Sequence, residues 1–209
     1  MLGLTFLYIW FSKILMMDDF ILYVKMGLYH VLDFTAYDHI LFLIALAVIF
    51  SFDHLKKVLW LITLFTLGHT ITLALSAYGI LKIRIDIVEF LIPVTIFITA
   101  VVNIINIGKN SATKDNVNLV FALFFGLIHG LGFSNYFRMM IGREEDKLLP
   151  LLEFALGIEL AQVIIVLGIL VVGALLQTFF KVTKRDWVMV TSAIVIGFVI
   201  PMMIERVFW

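Results

Sequence analysis

An all-α polytopic bundle of about six membrane-spanning helices is the fold this chain predicts, because a spanning helix takes ~20 apolar residues. Of its 209 residues 63% are apolar and only 14% charged, and the mean hydropathy is +1.14. A soluble domain carries roughly 45–50% apolar and about 25% charged residues, so too few charges are present to cover a wet surface. The apolar runs are long and continuous, which favours helices over a barrel as the way to satisfy the backbone in lipid. Formal net charge is zero and no basic block occurs, so nothing points to nucleic acid. With no cysteine, any metal must be held by nitrogen and oxygen.

The elements follow in order. Met1 to Leu15 is apolar but short and contains Lys13, and it runs into Met16, Met17, Asp18 and Asp19. Residues 1–17 therefore read as an N-terminal extension: a tilted extra span, an uncleaved signal-anchor, or a product of translation that truly begins at Met16 or Met17. Residues 18–209 read as one membrane unit. Phe20 to Tyr29 has the look of an amphipathic or half-buried helix leading into the bundle. Spans are placed near 37–52, 57–79, 87–107, 117–140, 148–180 and 187–207, separated by the charged breaks 53–57, 82–86, 109–115, 143–147 and 181–186. Lysines and arginines divide evenly between the two sides, so the positive-inside rule leaves orientation open.

Ionisable residues inside spans are expensive and usually face a bundle interior. Four of the five histidines, His30, His39, His69 and His129, lie in or beside apolar segments. In GLYHVLDFTAYDHILFL, His30, Asp33, Asp38 and His39 converge across a helix break at Leu32 to Ala36, a nitrogen and oxygen set suited to zinc, nickel, cobalt, manganese or iron. The bland alternative for Asp38 is a capping box with Thr35; for His39 it is a hydrogen bond to a core carbonyl. LFTLGHTITLAL aligns Thr66, His69, Thr70 and Leu73 along one helical stripe, although threonines in spans often bond only to their own backbone. FGLIHGLGF surrounds His129 with Gly126, Gly130 and Gly132, small residues that let helices approach closely.

In LEFALGIELAQ, Glu159 and Gln162 share a face deep in an apolar run, while Glu153 lies nearer the end. Glu89 opens the third expected span either as a helix-start acid beside Asp86 or at the mouth of a polar stripe with Thr95, Thr99 and Asn103. Several spans thus each contribute one costly polar face, which one shared interior site explains better than separate accidents do. No G-x-S-x-G elbow, phosphate loop or dinucleotide fingerprint is present.

The strings around His30 and the Asp38–His39 pair, FTLGHTITL, FGLIHGLGF and GIELAQ resemble, in order and from about Asp19 to the C-terminus, the motifs of the HupE/UreJ family of integral membrane proteins. The resemblance implies a six-helix bundle, nickel or cobalt uptake, and His30, Asp38, His39, His69, His129 and Glu159 as metal ligands, with Glu89 an outlying candidate. It also implies the bacterial cytoplasmic membrane and an external position for the segment before Asp38. Three functions follow. The first is a permease for a divalent transition metal (nickel, cobalt or zinc), which suits a broken helix at the binding site. The second is an intramembrane zinc hydrolase acting on a lipid or membrane peptide, with Glu159 or Asp38 as general base. The third is a non-catalytic accessory protein whose polar seam is only a hydrogen-bond network. Whether the chain is an enzyme stays open at this point.

Overall fold

A computed structural model describes residues 2–33, 35, 37–108, 115–142 and 146–209, with side chains from Met17 onward except 115–118. The described residues form α-helices and one short 3-10 turn, and no strand occurs among them. In order these are α1 (Leu2–Leu32), α2 (Asp38–Ala47), the 3-10 turn Phe52–His54, α3 (Leu55–Ala77), α4 (Ile85–Ile105), α5 (Asp115–Ile141), α6 (Leu148–Phe179) and α7 (Lys184–Glu205).

Among the described residues five helical stretches, Phe52–Ala77, Ile85–Ile105, Leu119–Ile141, Leu148–Phe179 and Lys184–Glu205, are long and apolar enough to cross a bilayer. The expected span at 37–52 is not one of them. Its helix, α2, has only 10 residues, or about 15 Å of rise, half of a ~30 Å hydrocarbon core. The reason lies at its end. Ser51 adopts an extended φ of −124° and starts the 3-10 turn, its hydroxyl lying 3.2 Å from His54 Nδ1, so local Ser and Asp turn chemistry overrides the apolar run.

The short apolar segment and the separate helix at Phe20–Tyr29 are one continuous helix of 31 residues. Asp18 and Asp19 do not interrupt it because neither residue forbids helical φ and ψ. Gly27 does not interrupt it either, because it serves packing: a Cβ there would stand 2.0 Å from Phe154 O on α6, and one at Gly157 would stand 2.1 Å from Val24 O on α1. The two backbones touch through a reciprocal glycine pair, as membrane helices do where small residues replace side chains.

The same device joins α3 to α5. A Cβ at Gly126 would meet Phe65 O at 2.1 Å, and one at Gly68 would meet Leu123 O at 2.3 Å. Gly130 continues the seam toward His69, whereas Gly132 turns away to Ile92 of α4. The interior is filled by Phe42, Phe65, Phe137 and Phe154, all under 2% exposed. Leu67, Ile98, Leu160, Ile164, Val190 and Phe198 face outward and stay exposed, an apolar exterior that water would penalise and lipid does not.

Two features fix the frame. Lys147 Nζ donates to Ala77 O at 3.2 Å, so the end of α3 and the start of α6 lie on one side. Asn103 Nδ2 of α4 donates to Ala45 O at 2.7 Å, tying α4 to the carbonyl end of the short α2, where unpaired carbonyls need a donor.

Candidate metal centre

The break between α1 and α2 brings the end of one helix to the start of another. His30 sits in the last turn of α1 and His39 in the first turn of α2, and their ring centroids are 4.6 Å apart. His69 enters from the middle of α3, with its ring 5.6 Å from His30 and 6.0 Å from His39. One nitrogen from each of the three rings lies within 4.8 Å of the others. His39 is 6% exposed and His69 fully buried.

His129 of α5 borders this trio, its ring 5.6 Å from that of His39. Its Nδ1 lies 2.9 Å from Phe125 O. A carbonyl only accepts, so Nδ1 carries the proton and Nε2 presents a lone pair. Burial of six ring nitrogens leaves them without a hydrogen-bond partner: Nε2 of His30 and His129, and both nitrogens of His39 and His69. Such groups are costly unless something binds them. Aromatic walls close the space. Phe133 packs 4.0 Å from the His30 ring, and Phe42 and Phe65 stand 5.1 and 5.0 Å from that of His129.

Asp38 belongs to this region. Its Oδ1 accepts the backbone N–H of His39 at 2.9 Å and lies 3.1 Å from His39 Nδ1 without the alignment of a hydrogen bond. The capping box expected with Thr35 does not form, since α2 has no side-chain cap and Thr35 is taken by Asp33, whose Oδ1 accepts both its N–H at 2.8 Å and its hydroxyl at 2.6 Å. Asp33, which the sequence grouped with the histidines, is thereby an exposed turn residue and not a member of the trio.

Glu159 is held elsewhere. Its carboxylate accepts from Thr63 at 2.6 Å and from Thr66 at 2.5 Å, both on α3, and it is not part of the histidine trio. Glu89 is exposed at the start of α4. In the polar stripe beyond it, Thr95 donates to Ile92 O and Thr99 to Thr95 O within their own helix; only Asn103 reaches another element. Thr70 likewise bonds back to Thr66 O.

Sequence reading missed Arg206. Its guanidinium lies 3.5 Å from Asp38 Oδ2 and donates at 3.4 Å to Glu89 O. That carbonyl is the one Pro93 leaves without an intrahelical donor, since proline has no N–H to give to the residue four before it. A proline inside a helix was the available signal that a carbonyl one turn earlier needed an outside donor. The phenylalanine walls carried no signal, because an aromatic in an apolar span is ordinary core.

Three imidazoles within reach of one another suit a borderline transition metal. Two ligands of one tetrahedral ion at ~2.1 Å stand roughly 3.4 Å apart, so nitrogens up to 4.8 Å apart need a small inward turn of their rings. Over residues 9–206 the chain matches the family described as HupE / UreJ protein. No curated protein and no solved structure matches it.

Proposed function

The chain therefore belongs to the HupE/UreJ family, and from that premise we propose that it binds a divalent transition metal at His30, His39 and His69 and passes it across the bilayer. The reading places the protein in a cytoplasmic membrane, with nickel or cobalt as the cargo to which the family points. The observation that carries it is the set of six buried ring nitrogens without hydrogen-bond partners, which argues against a purely hydrogen-bonded polar core. Imidazoles from α1, α2 and α3 converge where one helix ends and another begins, an arrangement that lets a ligand set open and close by small helix movements. Asp38 and His129 border the trio as the next ligands in reach. Asp38 adds one negative charge beside the His39 ring, which offsets part of the charge of a divalent ion in a low-dielectric setting.

A second reading is an intramembrane zinc hydrolase. It is favoured by one observation: three histidines with a carboxylate 3.1 Å from one of them match the donor number of a catalytic zinc site, with Asp38 as general base.

The test is elemental analysis of untagged, detergent-purified protein before and after chelator dialysis, followed by nickel and cobalt uptake into vesicles that enclose a metal-sensitive dye. Metal that binds reversibly, enters the vesicles and is lost in His69→Ala is the result expected for transport. Stoichiometric zinc that survives dialysis, with no uptake, turns the assignment to the hydrolase. Absence of any histidine-dependent metal overturns both.

A further inference from the structure

A second polar cluster lies near mid-span between α3 and α6, running from the exposed Thr63 through the half-buried Glu159 to the buried Thr66 and Gln162, and the atoms that meet in it are oxygens. Thr63 Oγ1 and Thr66 Oγ1 meet the two carboxylate oxygens of Glu159, and Gln162 Oε1 lies 3.1 Å from Thr66 Oγ1. Gln162 is fully buried, and its Nε2 has no hydrogen-bond partner.

Thr66 has one hydroxyl proton but three oxygens around it, since Ile62 O also stands at 3.1 Å. It can give that proton either to Glu159 or to its own helix. If the proton turns to Ile62 O, the hydroxyl lone pairs, the carboxylate and the amide oxygen all face one space. Thr63, at the outer edge of the cluster, supplies a further hydroxyl. Such a set holds hard cations rather than the borderline metals that imidazole selects.

Depth sharpens the case. Thr66 lies eleven residues before Ala77, the end of α3, and Glu159 eleven residues after Leu148, the start of α6. At 1.5 Å per residue both are about 16 Å from that side, near the middle of a ~30 Å core. An ionised carboxylate is most costly there, and among the described residues no basic side chain is paired with Glu159. One carboxylate among neutral oxygens is balanced by one positive charge.

We propose that Thr63, Thr66, Glu159 and Gln162 form a site for a small monovalent cation, sodium, separate from the histidine trio. Thr66 lies one turn before His69 on α3, so an ion in this cluster and a metal at the trio bias the same stretch of helix. That coupling rests on the metal-transport reading, whereas sodium binding itself does not.

The experiment uses the untagged full chain after chelator dialysis, so that failure of the metal reading leaves it intact. Unfolding midpoints are measured in sodium chloride and in choline chloride at equal ionic strength and fixed pH, beside equilibrium binding of radioactive sodium. Wild type is expected to show a saturable, sodium-specific rise in midpoint and bound sodium that is lost in Glu159→Gln. Because that variant removes the cluster's one carboxylate charge, Thr63→Val is the gentler probe, as its hydroxyl sits at the exposed edge. Loss of its bond to Glu159 lowers the midpoint in choline as well, so the quantity read is the sodium concentration at half the rise, which should increase roughly tenfold or beyond. Equal midpoints in the two salts with no bound sodium overturn the proposal. So does a sodium effect that survives both substitutions, or a midpoint that follows pH alone, which makes Glu159 a proton acceptor.

Discussion

Gly130→Ala tests whether the contact between α3 and α5 is what sets His69 in place. The added Cβ would stand 2.4 Å from His69 O, 2.8 Å from His69 Cα and 2.2 Å from Thr72 Oγ1. Packed carbon atoms settle at about 3.5 Å or more from their neighbours, so the backbone at His69 must retreat by about 1 Å. The Thr72 hydroxyl can rotate away at the loss of its bonds to Gly68 O and His69 O, but a backbone carbonyl has no such freedom. A ligand set works within ~0.5 Å of its productive geometry. The expected result is a loss of about 1–3 kcal/mol in stability, the usual cost of overpacking, together with a fall of roughly tenfold or more in metal affinity. A chelator-competition titration in detergent reads the second quantity, and thermal unfolding reads the first. Gly168→Ala and Gly197→Ala are the controls, since a Cβ at either meets nothing within 4 Å, and alanine there should be neutral or stabilising by ~0.5–1 kcal/mol. If Gly130→Ala bound metal and unfolded as these controls do, the claim that backbone contact positions His69 would be wrong.

The remaining predictions concern the frame around the trio. Asn103→Ala removes the 2.7 Å bond to Ala45 O and leaves a buried carbonyl unpaired, so denaturation should show a loss of about 1–3 kcal/mol. Arg206→Gln takes the guanidinium from Asp38 and from the carbonyl freed by Pro93; a lowered unfolding midpoint is expected, with only partial recovery in Arg206→Lys, because an ammonium does not reproduce the planar donor set. Asp38→Asn keeps the shape but removes the charge beside His39, and chelator competition should read roughly tenfold weaker metal binding. An Asp38→Asn protein with unchanged affinity would assign that carboxylate to helix geometry alone.

What the sequence made legible follows from cost. His30, His39 and His69 stood out because an imidazole in an apolar run needs a reason, and the fold brings those three together. Gly126 and Gly130 were legible for a related reason, since small residues four apart mark a close helix contact, and they supply one here. Gly27 lacked that spacing in α1, and Gly157 had it only with Ala161; the partnership of the two glycines exists only across α1 and α6. The short α2 was illegible because hydropathy counts apolar residues and does not see that Ser51 restarts the chain. Arg206 carried no signal because its neighbours Asp38 and the carbonyl freed by Pro93 come beside it only in the fold. Glu159 stood out as a costly acid, but its partners, Thr63 and Thr66, look in sequence like threonines that bond their own backbone. Only the packing of α6 on α3 shows which side chain those hydroxyls reach.

One helix gathers these threads. α3 carries Thr63, Thr66 and His69 at three-residue steps, and a three-residue step advances a helix by about 300°, so successive members drift around the face rather than stack on it. That drift is why Thr66 reaches α6 while His69, one turn on, reaches the break between α1 and α2. Gly68, next to His69, clamps the same turn against Leu123 of α5. The turn is therefore fixed on one face by a backbone contact that leaves no room to slide, and is loaded on its other faces by a carboxylate and by imidazoles. A rigid turn with two loaded faces passes displacement from one to the other, whereas a loosely packed one absorbs it. If the two polar clusters bind as proposed, the glycine seam is what couples them, and an alanine at Gly68, whose Cβ would stand 2.3 Å from Leu123 O, should weaken their mutual dependence before it abolishes binding at either.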